Sequence, residues 1–468
     1  MIMVTNTKRD KTKNIKWLLL IAIVVIVGGL LLMAVNQNDE DESGPLTELM
    51  NSENSIFLVL LCIGVVILLV VLIIVIVFMK PVAKERTVTL NYEGVTTAPK
   101  IEEHEEEGAT SRFCMLTEID EKRESYQKGG YDESMTLDRF CERLRNYAAS
   151  SLRLYYDISD IRRFIAGMAV SHILILQGMS GTGKTSLAHA FGSFIDNSST
   201  IIPVQPMWKE RTDLVGYYNE FTKKFNETLL LEKMYEANYS DDMYVTVLDE
   251  MNIARVEYYF AEFLSLLELP NPEERYLDVV SDRWESDPTQ LKDGRIRLPA
   301  NMWFIGTANN DDSTFAISDK VYDRAMILNL DTKCERFIAP KTERVRMSAK
   351  QFERMIKEAT EEYEISARNK KRLEALDAYL IAHFHITFGN RILKQINTYI
   401  PVYISCGGDE LDALDDILSK KVIRKLETQN PIYLRNAAEG LVSYLNELFG
   451  QDKMTLCKEH IRRLERNA

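Results

Sequence analysis

A six-residue apolar run, HILILQ at residues 172–177, leads directly into the glycine-rich string GMSGTGKT at residues 178–185. The helix-forming residues SLAHA follow at once. A strand, a G-x-x-x-x-G-K-[ST] loop and a helix in this order predict a loop whose backbone N–H groups surround a β-phosphate at the positive end of the helix. We expect Lys184 to reach the β- and γ-phosphates and the Thr185 hydroxyl to bind Mg²⁺. The predicted nucleotide contacts are Gly178, Ser180, Gly181, Thr182, Gly183, Lys184, Thr185 and Ser186.

A second apolar run, MYVTVL at residues 243–248, ends in two adjacent carboxylates. An unbroken run of β-branched and apolar residues is typical of a buried parallel strand, and parallel sheets bind ligands at the carboxyl ends of their strands. We expect Asp249 to hold the Mg²⁺ and to contact the nucleotide site, and Glu250 to polarise the attacking water. Two acids after a strand often form only a solvated turn. The glycine-rich loop is what favours the catalytic interpretation.

A third apolar run, residues 301–307, continues into Ala308, Asn309 and Asn310. A polar amide at the tip of a strand between the phosphate loop and the acidic strand would detect the γ-phosphate and position water. Asn309 is our candidate in preference to Asn310. An isolated Asn after a strand is usually a turn former, so this role depends on the sheet placing the three strands side by side.

Two uncharged apolar runs, residues 17–35 and 56–79, occupy the N-terminal region. At about 1.5 Å per residue, each is long enough for a hydrocarbon core of roughly 30 Å. Basic residues flank the pair and acidic residues fill the intervening loop, so the positive-inside rule predicts two spans with both ends cytoplasmic. A cleaved signal peptide is the alternative, but the first run exceeds the usual apolar region of such peptides. We expect a multi-pass protein of the cell membrane with a cytoplasmic catalytic domain.

Composition limits the possible partners. The net charge of −13 argues against direct nucleic-acid binding by this chain, which requires clustered Lys and Arg. The six cysteines form no C-x-x-C pair, and therefore suggest neither a zinc site nor a disulfide framework. Residues 81–135 are charged and poor in apolar periodicity, which predicts a flexible cytoplasmic spacer.

Four strings in order carry a family resemblance: VQPMWKERTDLVGYYN at 204–219, LDEMNIARVEYYFAEFLSLLE at 248–268, IGTANNDDSTFAISDKVYDR at 305–324 and FGNR at 388–391. They resemble McrB-like AAA+ ATPases, a group close to the MoxR and dynein-related ATPases. The resemblance extends over roughly residues 136–450. It implies an α/β core with a parallel sheet sandwiched by helices at 136–335 and a helical lid at 336–468, preceded by the predicted transmembrane hairpin at 1–80.

The resemblance also implies roles for single residues. Asn309 matches the first sensor residue of the family, and Arg324 matches the arginine finger that is supplied to a neighbouring subunit's site. Arg391 is a candidate second sensor that contacts the same nucleotide from within the subunit. Residues 216–227 and 291–298 are expected to form hairpins that face the central pore of a ring, although decorative surface hairpins are nearly as compatible with the pattern.

The chain departs from restriction-type McrB proteins in two respects. A membrane hairpin replaces the N-terminal domain for modified DNA, and the first sensor motif reads GTANND rather than GTMN. We therefore expect ATP as the nucleotide, with GTP as an alternative, and Mg²⁺ as the metal. The leading hypothesis is a membrane-anchored ring, expected to be a hexamer, that remodels an unidentified protein partner. The alternatives are the motor of a nucleic-acid defence system with a McrC-like nuclease, and a nucleotide-gated membrane scaffold.

Overall fold

The computed structural model describes residues 111–126, 129–309, 314–331 and 333–467. The predicted membrane spans at 17–35 and 56–79 lie outside these ranges, as does Asn310. Within the ranges that are described, no helix is both long enough and apolar enough to cross a membrane.

The strands of the described residues form one parallel sheet and two hairpins. In chain order the strands are β1 (Ile173–Gly178), β2 (Thr200–Pro203), β3 (Gly216–Asn219), β4 (Lys224–Glu227), β5 (Tyr244–Asp249), β6 (Tyr276–Asp278), β7 (Arg295–Arg297), β8 (Met302–Asn309) and β9 (Met326–Asn329). The central sheet has the order β2-β5-β8-β1-β9, and all of its pairings are parallel. The three apolar runs predicted as strands correspond to β1, β5 and β8. As expected, β8 lies between the other two.

Helices cover the sheet and make up the C-terminal part of the chain. Those before residue 330 are α1 (Met115–Glu121), α2 (Leu137–Leu152), α3 (Ile158–Val170), α4 (Lys184–Phe194), α5 (Thr212–Val215), α6 (Leu229–Ala237), α7 (Val256–Tyr259), α8 (Ala261–Leu266) and α9 (Asp319–Tyr322). The later ones are α10 (Ala349–Glu362), α11 (Ala367–Phe384), α12 (Gly389–Ser405), α13 (Glu410–Lys421), α14 (Pro431–Phe449) and α15 (Thr455–Asn467). These C-terminal helices fit the expected fold class, and the role of residues 336–468 as a lid stays a prediction.

Alternation along the strands explains the layered architecture. Successive side chains of a strand point to opposite faces of the sheet. In β1, Leu174 and Leu176 belong to the apolar cluster that includes α2, α3, α4 and the C-terminal helices. Ile173 and Ile175 belong to a second cluster with α6, α7, α8 and α9. Both faces of β1 are thus buried, and the sheet lies between two helical layers.

Side-chain caps define where several helices begin. Ser348 and Ser366 each accept a backbone N–H from the first turn of the helix that follows, as do Asp409 and Asn430. Each cap satisfies a backbone donor that has no partner within its helix, an effect typically worth about 1 kcal/mol. The starts of these four C-terminal helices are therefore encoded locally.

The structure contains both predicted hairpins, one of them in a different form. Strands β3 and β4 pair in antiparallel fashion, which agrees with the hairpin predicted at 216–227. Asp293 and Gly294 form the expected tight turn with positive φ angles of 52° and 74°. Lys292 and Arg295 pair across this turn, and the strand that follows, β7, pairs with β6. The second hairpin is therefore longer than predicted, because its partner strand lies before residue 279.

From residue 111 onwards, the segment predicted as a spacer packs against the following domain, which corrects the expectation for 81–135. Phe113 and Leu116 are buried, and Arg112 is only 2% exposed. The Arg112 guanidinium pairs with Asp287 at 2.7 Å, and the carboxylate of Glu227 on β4 accepts the first backbone N–H groups of α1. Phe113 and Leu116 supply the short apolar face that docks.

Candidate nucleotide site

The loop between β1 and α4 uses glycine where other residues would not fit. Gly181 and Gly183 have φ angles of 78° and 93°, a region that side chains with a Cβ rarely adopt. A Cβ on Gly178 would lie 2.3 Å from the carbonyl oxygen of Leu330, just beyond β9. The loop therefore passes against the neighbouring strand and bends back into α4 without steric strain.

Lys184, the first residue of α4, folds back over this loop. Its side chain is buried, and Nζ donates to the carbonyl oxygens of Gly178 at 2.9 Å and Met179 at 2.8 Å. The ammonium group thus lies along the loop at the N-terminus of the helix. Both features favour an anion at this position.

Thr185 and Asp249 connect the loop with the acidic strand. The Thr185 hydroxyl donates to Asp249 Oδ1 at 2.7 Å, so the first turn of α4 meets the carboxyl end of β5. Hydroxyl and carboxylate oxygens are ligand types that Mg²⁺ prefers, and phosphate oxygens and water complete its shell in sites of this kind. This donor set needs no cluster of three His, Cys, Asp or Glu side chains. Among the residues with described positions there is none.

Thr307 on β8 organises the two adjacent acids. Its hydroxyl donates to Asp249 Oδ1 at 2.8 Å and accepts the backbone N–H of Glu250 at 2.9 Å. Sequence reasoning gave Thr307 no role, although it lies within the family string at 305–324. The signal that could have identified Thr307 is its position: it precedes the sensor amide, on the strand next to the acidic strand.

Glu250 has an unusual backbone conformation. Its φ and ψ angles are 52° and 45°, which is left-handed and costs an ordinary residue about 1–2 kcal/mol. The side chain is exposed at the carboxyl edge of the sheet. The hydrogen bond to Thr307 holds this turn, and the carboxylate is accessible to water.

Asn309 lies at the same edge. It is the last residue of β8 and is opposite Gly178 in the parallel register. Asn252, which is buried, donates from Nδ2 to the Asn309 carbonyl at 3.0 Å and to the Thr314 hydroxyl at 3.0 Å. The structure therefore brings the phosphate loop, both acids and Asn309 together. Asn252, a further residue missed from the sequence, fixes the end of the sensor strand.

Arg324 lies at the opposite edge of the sheet. It follows α9, and Met326 two residues later pairs with Leu174 near the start of β1. The length of β1 separates this edge from the phosphate loop, about 17 Å at roughly 3.3 Å per residue. Arg324 Nε forms an ion pair with Glu268 Oε2 at 2.8 Å.

Arg391 also pairs with Glu268, through its other carboxylate oxygen. Both arginines line a cavity of about 650 Å³ together with His172 and Lys394. The structure does not bring Arg391 to the phosphate loop of its own subunit, where a second sensor was expected. Arg391 begins a helix, α12, that runs along α3, and its first turn is next to the start of β1 rather than its end.

His172 lines that cavity and is half-buried. Its ring stacks on Trp303 at a centroid distance of 4.7 Å, and Nε2 is 3.0 Å from the carbonyl oxygen of Ala300. Burial lowers the pKa of His172 to about 4. The imidazole is therefore neutral at physiological pH and packs as an aromatic group.

Comparisons with known proteins support the chemistry read from this geometry. The model for the AAA domain (dynein-related subfamily) matches residues 173–325, and the model for a domain of unknown function (DUF8727) matches residues 344–468. No curated protein matches the chain. The first match contains the phosphate loop, both acids, Asn309 and Arg324, whereas Arg391 lies in the second.

Two solved structures resemble the chain distantly. A candidate ATPase from Cytophaga hutchinsonii is 14% identical, with a TM-score of 0.44 over 71% of this chain and 98% of that protein. A full-length MCM homolog from Methanopyrus kandleri is 11% identical, with a TM-score of 0.32 over 62% of this chain and 56% of that one. Neither likeness is close enough to bear on function. Residues 173–325 are similar to the AAA domain of the dynein-related subfamily, and together with the arrangement of Lys184, Thr185 and Asp249 this match supports an ATP-hydrolysing enzyme.

Proposed function

We propose that this protein is a membrane-anchored AAA+ ATPase that assembles into a ring, expected to be a hexamer, and remodels a protein partner at the cytoplasmic face. One observation carries the proposal. Lys184 and Glu250 lie at the carboxyl edge of the sheet, and Arg324 lies at the amino edge, about 17 Å away. An arginine at that distance cannot reach the phosphates bound by its own subunit, but it can reach those of a neighbour.

The proposed reaction uses residues of two subunits. Lys184 neutralises charge on the β- and γ-phosphates, Glu250 polarises the attacking water, and Asn309 orients that water. Arg324 of the adjacent subunit stabilises the charge that develops on the transferred phosphoryl group. Mg²⁺, held by Thr185 and Asp249, would supply further neutralisation of the phosphate oxygens when bound.

The pairing of Arg391 with Glu268 extends this proposal. Because Arg391 lies beside Arg324, we assign it to the neighbour's nucleotide as well. Two cations at one edge would face the triphosphate across the subunit boundary. A site of this kind turns over only in the assembled state.

The β3–β4 hairpin supports action on a polypeptide. Phe221 at its tip is fully exposed, and Tyr217 is half-exposed. Exposed aromatic residues grip apolar segments of another chain, whereas the net charge of −13 disfavours a nucleic-acid substrate. The membrane location rests on the apolar runs at 17–35 and 56–79 together with their flanking charges.

The test combines two inactive variants of the full-length chain in membranes. Glu250→Gln removes the catalytic carboxylate but keeps Arg324, and Arg324→Ala removes the finger but keeps the catalytic site. Each variant alone should lack turnover, and co-assembled rings should recover part of it, because some sites combine an intact Glu250 with an intact Arg324. Absence of recovery would contradict a shared site.

Glu250→Gln also serves as a substrate trap. Under ATP, this variant should assemble and retain its protein partner during purification from membranes. Retention of a nuclease together with hydrolysis that DNA stimulates would instead favour the motor of a defence system. Turnover that no partner changes, with assembly set by nucleotide, would favour a scaffold.

A further inference from the structure

The segment that carries Arg324 depends on other parts of the chain for its shape. It consists of the single-turn helix α9 and residues 323–325, which precede β9. The last carbonyl groups of a helix have no partner within the helix and need donors from elsewhere. The Ser171 hydroxyl supplies one, donating to the Arg324 carbonyl oxygen at 2.8 Å.

Lys421, the last residue of α13, supplies two more. Its side chain is 4% exposed, and Nζ donates to the carbonyl oxygens of Tyr322 at 2.7 Å and Ala325. These carbonyls flank Arg324 on both sides. A buried ammonium group is costly unless hydrogen bonds compensate for lost water, and burial lowers the pKa of Lys421 to about 7. The bonds that compensate for this cost are those that fix the backbone around Arg324.

Two further side chains of the C-terminal domain hold the same segment. Arg424 pairs with Asp319 at 2.6 Å, and its guanidinium lies 3.9 Å from the centre of the Tyr322 ring. Gln395 on α12 donates from Nε2 to the Asp323 carbonyl oxygen at 3.3 Å. Residues of the C-terminal domain therefore hold this segment at its start, at its aromatic side chain and at its end. They lie within 344–468, the range that matches a domain of unknown function.

On its other side, the segment contacts β1 of the same subunit through the long side chain of Tyr322. Gln177 Nε2 donates to the Tyr322 hydroxyl at 2.5 Å, and Gln177 immediately precedes Gly178. Tyr322 thus lies between the end of β1 and the C-terminal domain. The position of the Arg324 backbone is set from both directions.

We propose that Lys421 is a positioning residue for Arg324, so that one role of the C-terminal domain is to hold the arginine that completes a neighbour's nucleotide site. The inference rests on the proposed shared site. Lys421 acts through the main chain and does not touch the nucleotide. Its loss should therefore impair the neighbour's site and leave the nucleotide affinity of its own subunit intact.

The experiment uses Lys421→Met in the full-length chain, which keeps the apolar stem and removes the donors. We expect turnover to fall about tenfold or more, with ATP affinity unchanged. Co-assembly with Glu250→Gln should restore turnover, because the second variant supplies a correctly held Arg324 to intact Lys421→Met sites. A merely unstable subunit would not be rescued in this way.

Lys420→Met is the matched control. Lys420 is buried in the same helix, but its Nζ pairs with Asp416 at 2.6 Å and not with the Arg324 segment. Any turnover that this variant loses should not be recovered by Glu250→Gln, and recovery would overturn the inference. If Lys421→Met does not fold, Lys421→Gln retains an NH2 donor group on a shorter side chain and should show a smaller loss that co-assembly again restores.

The two proposals fail in different ways. Suppose that Arg324→Ala and Glu250→Gln recover turnover when co-assembled, but that folded Lys421→Met or Lys421→Gln has wild-type turnover. This result would overturn the role of Lys421 and leave the shared site standing. A Lys421 variant that loses turnover without rescue, while Arg324→Ala is rescued, would also overturn it. Absence of recovery with Arg324→Ala would remove the shared site itself.

Discussion

The hydroxyl group of Thr307 donates to Asp249 Oδ1 at 2.8 Å, and it links the acid strand to the strand that ends in the candidate sensor. The same oxygen accepts the N–H of Glu250, and Thr307 is only 2% exposed. One buried hydroxyl thus fixes the carboxylate assigned to Mg²⁺ and the turn that carries Glu250, the proposed catalytic acid.

Thr307→Val removes this hydroxyl with little change in shape. We expect it to leave the Glu250 N–H without this partner, to lower the free energy of unfolding by about 1–3 kcal/mol and to reduce turnover at least tenfold at saturating ATP. Thr307→Ser retains the oxygen and should keep most of the activity. Steady-state hydrolysis and chemical denaturation measure both effects, and an active valine variant would contradict the role.

Glu268 holds the guanidinium groups of Arg324 and Arg391 at the amino edge of the sheet. Glu268→Ala should release both, reduce turnover about tenfold and leave ATP affinity within the subunit nearly unchanged. Glu262→Ala is a suitable control, since Glu262 pairs with Arg211 at 3.0 Å and not with either arginine. Equal losses in the two variants would argue against a specific role of Glu268.

His172 predicts a pH dependence of stability. Burial lowers its pKa from an ordinary value of 6.5 to about 4. Between these values the unfolded chain binds more protons than the folded one, so stability is present above pH 6.5 and is lost as the pH falls towards 4. The loss is on the order of 3 kcal/mol.

His172→Gln tests this dependence, because glutamine can still donate to the Ala300 carbonyl but does not titrate. Thermal unfolding of both proteins between pH 7 and pH 4.5 should give a shallower acid slope for the variant. Identical slopes would assign the acid sensitivity to other groups.

Arg112 connects the segment that begins at residue 111 to the loop between β6 and β7. Its partner Asp287 is 4% exposed, so Arg112→Ala should leave a buried carboxylate without this cation and destabilise the domain by about 3–5 kcal/mol. Arg283→Ala removes an ion pair whose side chains are both more than 70% exposed, and should change stability by less than about 0.5 kcal/mol. Thermal unfolding of the two variants, with limited proteolysis near residue 112, measures the difference.

Much of the site could be predicted from the sequence because it depends on contiguous residues. The glycine pattern of residues 178–185 specifies a loop conformation that few other residues adopt. The apolar runs that form β1, β5 and β8 bury both faces of their strands, as strands in the interior of a parallel sheet do. The rule that parallel strands share a carboxyl edge then placed Asp249 and Asn309 near the loop.

The residues that sequence reasoning missed make contacts over long separations. Thr307 lies 58 positions from Asp249, and Lys421 lies 99 positions from Tyr322. Neither residue type carries a signal of its function, since a threonine in a strand and a lysine at a helix end are ordinary choices. The edge of the sheet at which Arg391 lies could not be predicted, because a short motif gives no direction for the helix that follows it.

The sequence by itself determined the phosphate loop, the three strands around it and the helical C-terminal part, because local backbone preferences and the pattern of burial suffice for these. Tertiary structure alone decided which edge of the sheet each arginine occupies and which side chains hold it. The positions of the arginines depend on how α12 and α13 pack against α3 and α9. Such packing is set by the shapes of surfaces formed from distant parts of the chain.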